Sequence, residues 1–185
     1  MNFSLGGDRD GNPNVTPEVT IEVVLQQRLR AAKLYLNDLN ELYGDLAISS
    51  RFSDEMKHFA GGIKNSKDVK ELYRRVIGHL EKRLMKTVKE CEASLMSESS
   101  FSSDISSFEK VNLDSDDIKP LFKSAELMEP LMVMHRSLVE TGFEEVANGV
   151  LIDIIRRVAS FGLTLVPLDI REESTRHTMV CFVTL

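Results

Sequence analysis

The feature that most constrains the fold is a run of apolar residues at helical spacing near the start of the chain. The steps between them are four, three, four, three and four residues, and they are Leu25, Leu29, Ala32, Leu36, Leu39 and Tyr43. This spacing lines one face of an α-helix for about five turns. Thr16 can cap such a helix, Pro17 suits its first position, and Glu18 complements the positive end of the helix dipole. We therefore expect a long helix from about Pro17 to Gly44.

A second amphipathic segment follows a short irregular piece in which the Gly61-Gly62 pair is a helix breaker. Ser66 is expected to open this helix. Its apolar stripe consists of Val69, Leu72, Val76, Leu80, Leu84, Val88, Cys91 and Leu95. Long helices should therefore account for residues 17–96, and Cys91, like Cys181, is expected to be a buried small hydrophobe.

Residues 97–117, SESSFSSDISSFEKVNLDSDD, change character, because serine and acidic residues dominate and periodicity is lost. This composition predicts a flexible surface loop. Residues 124–162 are expected to be helical again. Ser124 can cap a third helix that Pro130 either starts or kinks, and Gly142 closes it.

A fourth helix should carry one apolar face and end at Gly162, which suits a C-cap. The residues of that face are Val146, Val150, Ile154 and Val158. The next segment, LTLVPLDI (163–170), is short and apolar, as in a parallel strand buried on both faces. We expect a mainly α fold with one or two strands of an α/β unit.

Arg171 would then emerge at the carboxyl end of this strand, where α/β barrels place their chemistry. Its planar guanidinium can bind a carboxylate or a phosphate, or pair with a local acid. Glu173 and His177 are four residues apart and can share a helical face, which is a weak signal for a metal site or a Glu–His hydrogen bond. A structural or capping role for His177 is the favoured alternative.

The loop at residues 1–16, which we call the charged loop, contains GGDRDGNPNVT (6–16). It is not a calcium loop, because Pro13 and Val19 stand where glycine and glutamate are needed. Asp8, Arg9 and Asp10 can form an ion-pair network at the rim of a site, or the same network can be purely structural.

Composition narrows the function classes. The net charge of −6 and the pI near 5.3 argue against broad nucleic-acid binding. No apolar run approaches the ~18 residues of a membrane span, and the start of the chain does not resemble a signal peptide. With two cysteines, a cytoplasmic location is expected. His58, His79 and His135 have no partner at ligand spacing.

Three stretches resemble phosphoenolpyruvate carboxylases: GGDRDGNPNVT (6–16), LMEPLMVMHRSLVETG (127–142) and RRVASFGLTLVPLDIREESTRHT (156–178). The resemblance covers Gly6 to Thr178. It implies a mostly helical cytoplasmic lyase built on an eight-stranded α/β barrel of the TIM type. Such an enzyme adds bicarbonate to phosphoenolpyruvate with Mg²⁺ or Mn²⁺, giving oxaloacetate and phosphate in anaplerotic carbon fixation. It also implies a homo-oligomer under allosteric control.

By the same resemblance, the arginine matching Arg171 contacts the substrate phosphate, and no catalytic residue is assigned. Asp8, Arg9 and Asp10, with Arg176 and His177, would lie at the rim of the active site. The catalytic-histidine motif Thr-Ala-His-Pro-Thr, the catalytic lysine region and the metal-binding carboxylates of the family do not occur here.

We therefore expect residues 1–185 to be one partial carboxylase domain, with 163–178 as barrel strand and substrate-side loop. As a fragment it should be inactive alone. The alternative is a non-catalytic helical interaction or regulatory protein derived from that enzyme.

Overall fold

The computed structural model describes residues 6–10, 14–47, 51–63, 71–97, 118–172 and 174. Within them the chain is mainly helical. The helices are α1 (Pro17–Asp45), α2 (Asp54–Gly61), α3 (Leu72–Ser97), α4 (Ser124–Glu140), α5 (Glu144–Val146) and α6 (Ile152–Phe161), with a π-helical turn, Ala147–Leu151, between α5 and α6. None of the helices described is long and apolar enough to be a candidate for crossing a bilayer.

Helix α1 begins as predicted, because the Thr16 hydroxyl accepts a hydrogen bond from the Val19 N–H and Pro17 is its first residue. Leu25, Ala32 and Leu39 of the predicted stripe are buried. The prediction for Tyr43 is wrong, since its side chain is 40% exposed. Tyr43 instead lies beneath the guanidinium of Arg74 on α3, 4.7 Å from the ring centroid.

The main helix pair of the core is α1 packed against α3. The predicted positions Leu72, Val76, Leu80, Leu84 and Cys91 of α3 are buried. Val88 and Leu95 of the stripe are half-buried. The predicted start at Ser66, and Val69, lie outside the described residues.

Helix α2 corrects the prediction of an irregular piece between α1 and Gly62. The Ser53 hydroxyl caps it by accepting a hydrogen bond from the Met56 N–H at 3.1 Å, and Asp54 and Glu55 fill its first turn. Serine before two acids is a helix-start signal, and it was overlooked because the helix is only eight residues long.

Helix α4 is one continuous helix with Pro130 inside it. The prediction that Ser124 caps this helix is wrong, because Ser124 is its first residue. Lys123 holds the cap position without a side-chain hydrogen bond. The prediction for Gly142 is confirmed: α4 ends at Glu140, and Gly142 has a φ of +86°, a conformation that glycine adopts at little cost.

The apolar face of the fourth predicted helix is displaced by the π-helical turn. Val146 and Val150 are half-buried, whereas Ala147 and Leu151 are fully buried. Within this stretch Gly149 departs from helical geometry, with φ −87° and ψ −131°, so the helix is kinked there and the buried face shifts. Beyond it, Ile154 and Val158 are buried as predicted.

The predicted strand over 163–170 is not formed at residues 163–166, which make turns and bends. Leu165 has a φ of +63°, which interrupts an extended chain, and Pro167 has no N–H to donate. No strand occurs within the described ranges, where the parallel pairing of Asp8 with Arg171 is an isolated bridge. The helical part of the fold prediction is confirmed, whereas the barrel strands are not shown in the residues that the structure describes.

A buried polar cluster joins three helices in the core. The Ser137 hydroxyl on α4 is fully buried, accepts the Ser53 N–H at 3.0 Å and lies 2.8 Å from the Tyr73 hydroxyl on α3. Because Ser53 also caps α2, the oxygen of Ser137 fixes α2 and α3 against α4. Burial raises the pKa of Tyr73, although its hydrogen bond to Ser137 opposes this.

Replacing Ser137 with alanine should lower the free energy of unfolding by about 2–3 kcal/mol, because the buried Ser53 N–H loses its acceptor and Tyr73 loses a partner. Urea unfolding measures this change. Ser160→Ala, at an exposed position of α6, is the control and should change stability by less than about 0.5 kcal/mol. Equal effects of the two substitutions would contradict the role assigned to the cluster.

Candidate functional site

The charged loop meets the segment that carries Arg171, although the two are far apart in sequence. The Arg171 N–H donates to the Gly7 carbonyl at 2.8 Å, and the Arg9 N–H donates to the Arg171 carbonyl at 2.9 Å. These two bonds form the parallel bridge between Asp8 and Arg171. We call residues 168–172 the Arg171 segment. The structure thus brings together two of the sequence stretches that were singled out for chemistry.

Gly7 allows this close approach. A Cβ atom at this position would lie 2.3 Å from the carbonyl oxygen of Asp169, which is closer than any side chain tolerates. Gly6, next to it, has a φ of +81°. The glycine pair is therefore required by the shape of the contact, and not only by a turn.

Arg9 links three parts of the structure. Its Nη2 donates to the Thr20 hydroxyl on α1 at 2.9 Å, and its Nη1 lies 3.4 Å from Oε2 of Glu172. The Thr20 hydroxyl in turn donates to the Gly6 carbonyl at 2.6 Å. The predicted network among Asp8, Arg9 and Asp10 thus takes another form, in which Arg9 pairs with an acid from the Arg171 segment.

The Arg171 side chain is held at the surface by its near neighbour. Its Nε and Nη2 lie 3.1 and 3.0 Å from the same oxygen of Asp169. The side chain is nevertheless 60% exposed. A guanidinium has five N–H donors, so one carboxylate oxygen leaves donors for an incoming anion.

The remaining predicted rim residues are less informative. Asp8 is half-buried and its Oδ1 accepts the Asp10 N–H at 3.3 Å, while Asp10 itself is exposed. Glu173, Arg176 and His177 lie outside the described residues. Thr20, Asp169 and Glu172 were missed as site residues, although Asp169 and Glu172 flank Arg171 and thus offered a signal.

The described part of the chain contains no cluster of side chains that could hold a divalent metal ion. No three histidine, cysteine, aspartate or glutamate side chains come together there. Burial, with Arg83 and Lys82 nearby, lowers the pKa of His79, which leaves that imidazole neutral over a wider pH range.

An apolar groove of about 560 Å³ lies between α1, α6 and the turn that precedes the Arg171 segment. Its lining residues are Leu34, Tyr35, Asp38, Arg157, Phe161, Leu165 and Val166. Among the lining residues, the Tyr35 hydroxyl donates to the Gly162 carbonyl at 2.7 Å, and Arg157 donates to Asp38 at 2.6 Å. Gly162 is the C-cap of α6, as predicted.

Tyr35 should give this region a distinctive pH dependence. Burial, with Asp38 nearby, raises the pKa of its phenol from 10.0 to about 12. The folded chain therefore keeps this proton to higher pH than the unfolded chain, so the free energy of unfolding should fall as pH rises from 10.0 towards 12. Tyr35→Phe should show a shallower fall over that interval in urea unfolding. Identical slopes for the two proteins would refute this assignment.

Replacing Gly7 with alanine should separate the charged loop from the Arg171 segment, because its Cβ would collide with the Asp169 carbonyl. Loss of two backbone hydrogen bonds should lower the free energy of local opening by about 2 kcal/mol, so the population of the open segment should rise roughly 10- to 30-fold. The rate of trypsin cleavage after Arg171, followed by mass spectrometry, measures this opening. Gly78→Ala on α3 is the control, since nothing lies within 4 Å of its new Cβ. Unchanged cleavage in the Gly7 variant would show that the contact does not hold the segment.

Comparison with known proteins gives consistent matches over almost the whole chain. The family model for phosphoenolpyruvate carboxylase matches residues 2–183. The phosphoenolpyruvate carboxylase of Marinobacter nauticus is 44% identical over 173 residues, which cover 94% of this chain and 17% of that protein. Those of Hahella chejuensis and Zea mays are 41% and 38% identical, each covering 95% of this chain and 18% of the relative.

This chain thus spans less than a fifth of the length of the curated relatives that it matches. The family match includes both sides of the contact between the charged loop and the Arg171 segment. Since the resemblance seen in the motifs extends through all the helices between them, the chain belongs to the phosphoenolpyruvate carboxylase family.

Proposed function

We propose that this chain is the portion of a phosphoenolpyruvate carboxylase that supplies Arg171 to the phosphate of the substrate. The whole enzyme would join bicarbonate to phosphoenolpyruvate and release oxaloacetate and inorganic phosphate. Family membership supports the reaction, and the geometry of Arg171 supports the role of this residue.

The observation that carries the proposal is the exposed guanidinium of Arg171, oriented by Asp169 on one edge. Phosphate oxygens bind best to a planar fork of N–H donors whose orientation is already fixed. The chain as a whole is acidic, with a net charge of −6, so it does not attract anions in general. An anion therefore needs a local cation such as this one.

Turnover would depend on the rest of the carboxylase. The relatives are more than five times as long as the part matched here, and the described residues gather no metal ligands. We propose that Mg²⁺ or Mn²⁺, the catalytic histidine and lysine, and the remaining barrel are contributed from outside this chain. A homo-oligomer, allosteric control and a cytoplasmic location are further proposals that follow from the family.

A segment exchange tests the proposal. The part of the Marinobacter nauticus carboxylase that aligns with this chain is replaced by the sequence of this chain, and oxaloacetate formation is followed by coupling to malate dehydrogenase. We expect the chimera to be active and the 185-residue chain alone to be inactive. In the chimera, Arg171→Ala should raise the KM for phosphoenolpyruvate by roughly 10- to 100-fold, because a charged hydrogen-bond donor to phosphate is worth about 1.5–3 kcal/mol.

Arg156→Ala provides the matched control, since that arginine is 72% exposed and pairs only one turn away with Asp153. It should leave the KM unchanged. A folded but inactive chimera would overturn the proposal and favour the alternative, a non-catalytic interaction or regulatory protein. An active chimera that is indifferent to Arg171→Ala would overturn the role of Arg171 alone.

A further inference from the structure

The Arg171 segment depends on the charged loop for its position. In the described part of the chain it belongs to no strand, and Arg171 itself is held by the isolated parallel bridge to Asp8. Its guanidinium is oriented by Asp169, but Asp169 lies in the same segment and moves with it. Whatever fixes the segment relative to the helices therefore fixes where the guanidinium can meet an anion.

We infer that Arg9 is a positioning residue for Arg171, an inference that rests on the proposed function. Arg9 ties the segment to the helical core, because one nitrogen of its guanidinium reaches Glu172 and another reaches Thr20 on α1. Thr20 is 6% exposed and sits in the first turn of α1, so it offers a rigid anchor. The side chain thus bridges a fixed helix and the residue that follows Arg171.

The geometry of Arg9 suits positioning better than stabilisation. Its distance to Glu172 is 3.4 Å, which is long for an ion pair. Its Nε is buried and makes no hydrogen bond to any part of the chain that the structure describes. A partly buried ion pair with an unsatisfied donor adds little to stability, whereas it can select one arrangement of the segments that it joins.

The link from Arg9 to Glu172 and Thr20 predicts which kinetic constant changes when Arg9 is replaced. Arg9 does not need to touch the substrate, since it acts through the segment that carries Arg171. Displacing that segment weakens phosphate binding by the guanidinium, while groups that Arg9 does not hold keep their geometry. The KM for phosphoenolpyruvate should therefore change more than kcat.

The test uses the active chimera described above. Arg9→Gln should raise the KM roughly tenfold and change kcat by less than about threefold. Arg9→Lys, which keeps the charge but loses the fork, should give an intermediate KM. Glu172→Gln should raise the KM as well, and the double variant should show less than the sum of the two effects because both break one link.

The control is Arg136→Gln, which removes an exposed arginine pair with Glu55 between α4 and α2 and should leave the KM unchanged. Thermal unfolding of each variant shows whether it folds. A second variant, Thr20→Val, removes the hydroxyl that anchors Arg9 to α1 and leaves every charge in place. The inference is overturned if Arg9→Gln and Thr20→Val both leave the KM unchanged, or if kcat falls as much as kcat/KM. An inactive unsubstituted chimera would instead count against the proposed function.

Discussion

The pairing of Arg171 with Gly7 and Arg9 is the contact on which the rest of the candidate site depends. Two short backbone hydrogen bonds join segments that lie more than 160 residues apart in the sequence, as the 163-residue separation of Arg9 and Glu172 shows. Such a contact has a large loop-closure cost unless the chain between is already ordered. The helices between the two segments provide that order, so the candidate site depends on the folded helical core.

The helices were largely predictable because their signals are local. Thr16 caps α1 and Gly162 ends α6, and both follow from the residue type and its neighbours in sequence. The displaced face at Ala147 and Leu151 was not predicted by residue spacing, because the kink at Gly149 interrupts the helical repeat. Helix α2 had a readable start at Ser53, but it is short and needs the Ser137 hydroxyl from α4 to hold it.

The candidate site, like the helices, was predictable only in part. Arg171 could be singled out from sequence, because a charged residue after an apolar run is a recognisable pattern. The strand that this pattern implied is absent from residues 163–166, where Leu165 adopts a positive φ. Thr20 and Glu172 could not be assigned to Arg9 from sequence, because their relation is tertiary. The structure gives Gly7 a steric reason, because a Cβ atom at this position would collide with the Asp169 carbonyl.

The most direct measurement is amide hydrogen exchange of Arg171 in the 185-residue chain, read residue by residue by NMR. The account predicts slow exchange, because this N–H donates to the Gly7 carbonyl at 2.8 Å. It also predicts that the Arg9 amide, which donates to the Arg171 carbonyl, is protected to a similar degree. Exchange of both amides at the rate of an unstructured peptide, with the helices still protected, would contradict the claim that the charged loop holds Arg171 in place.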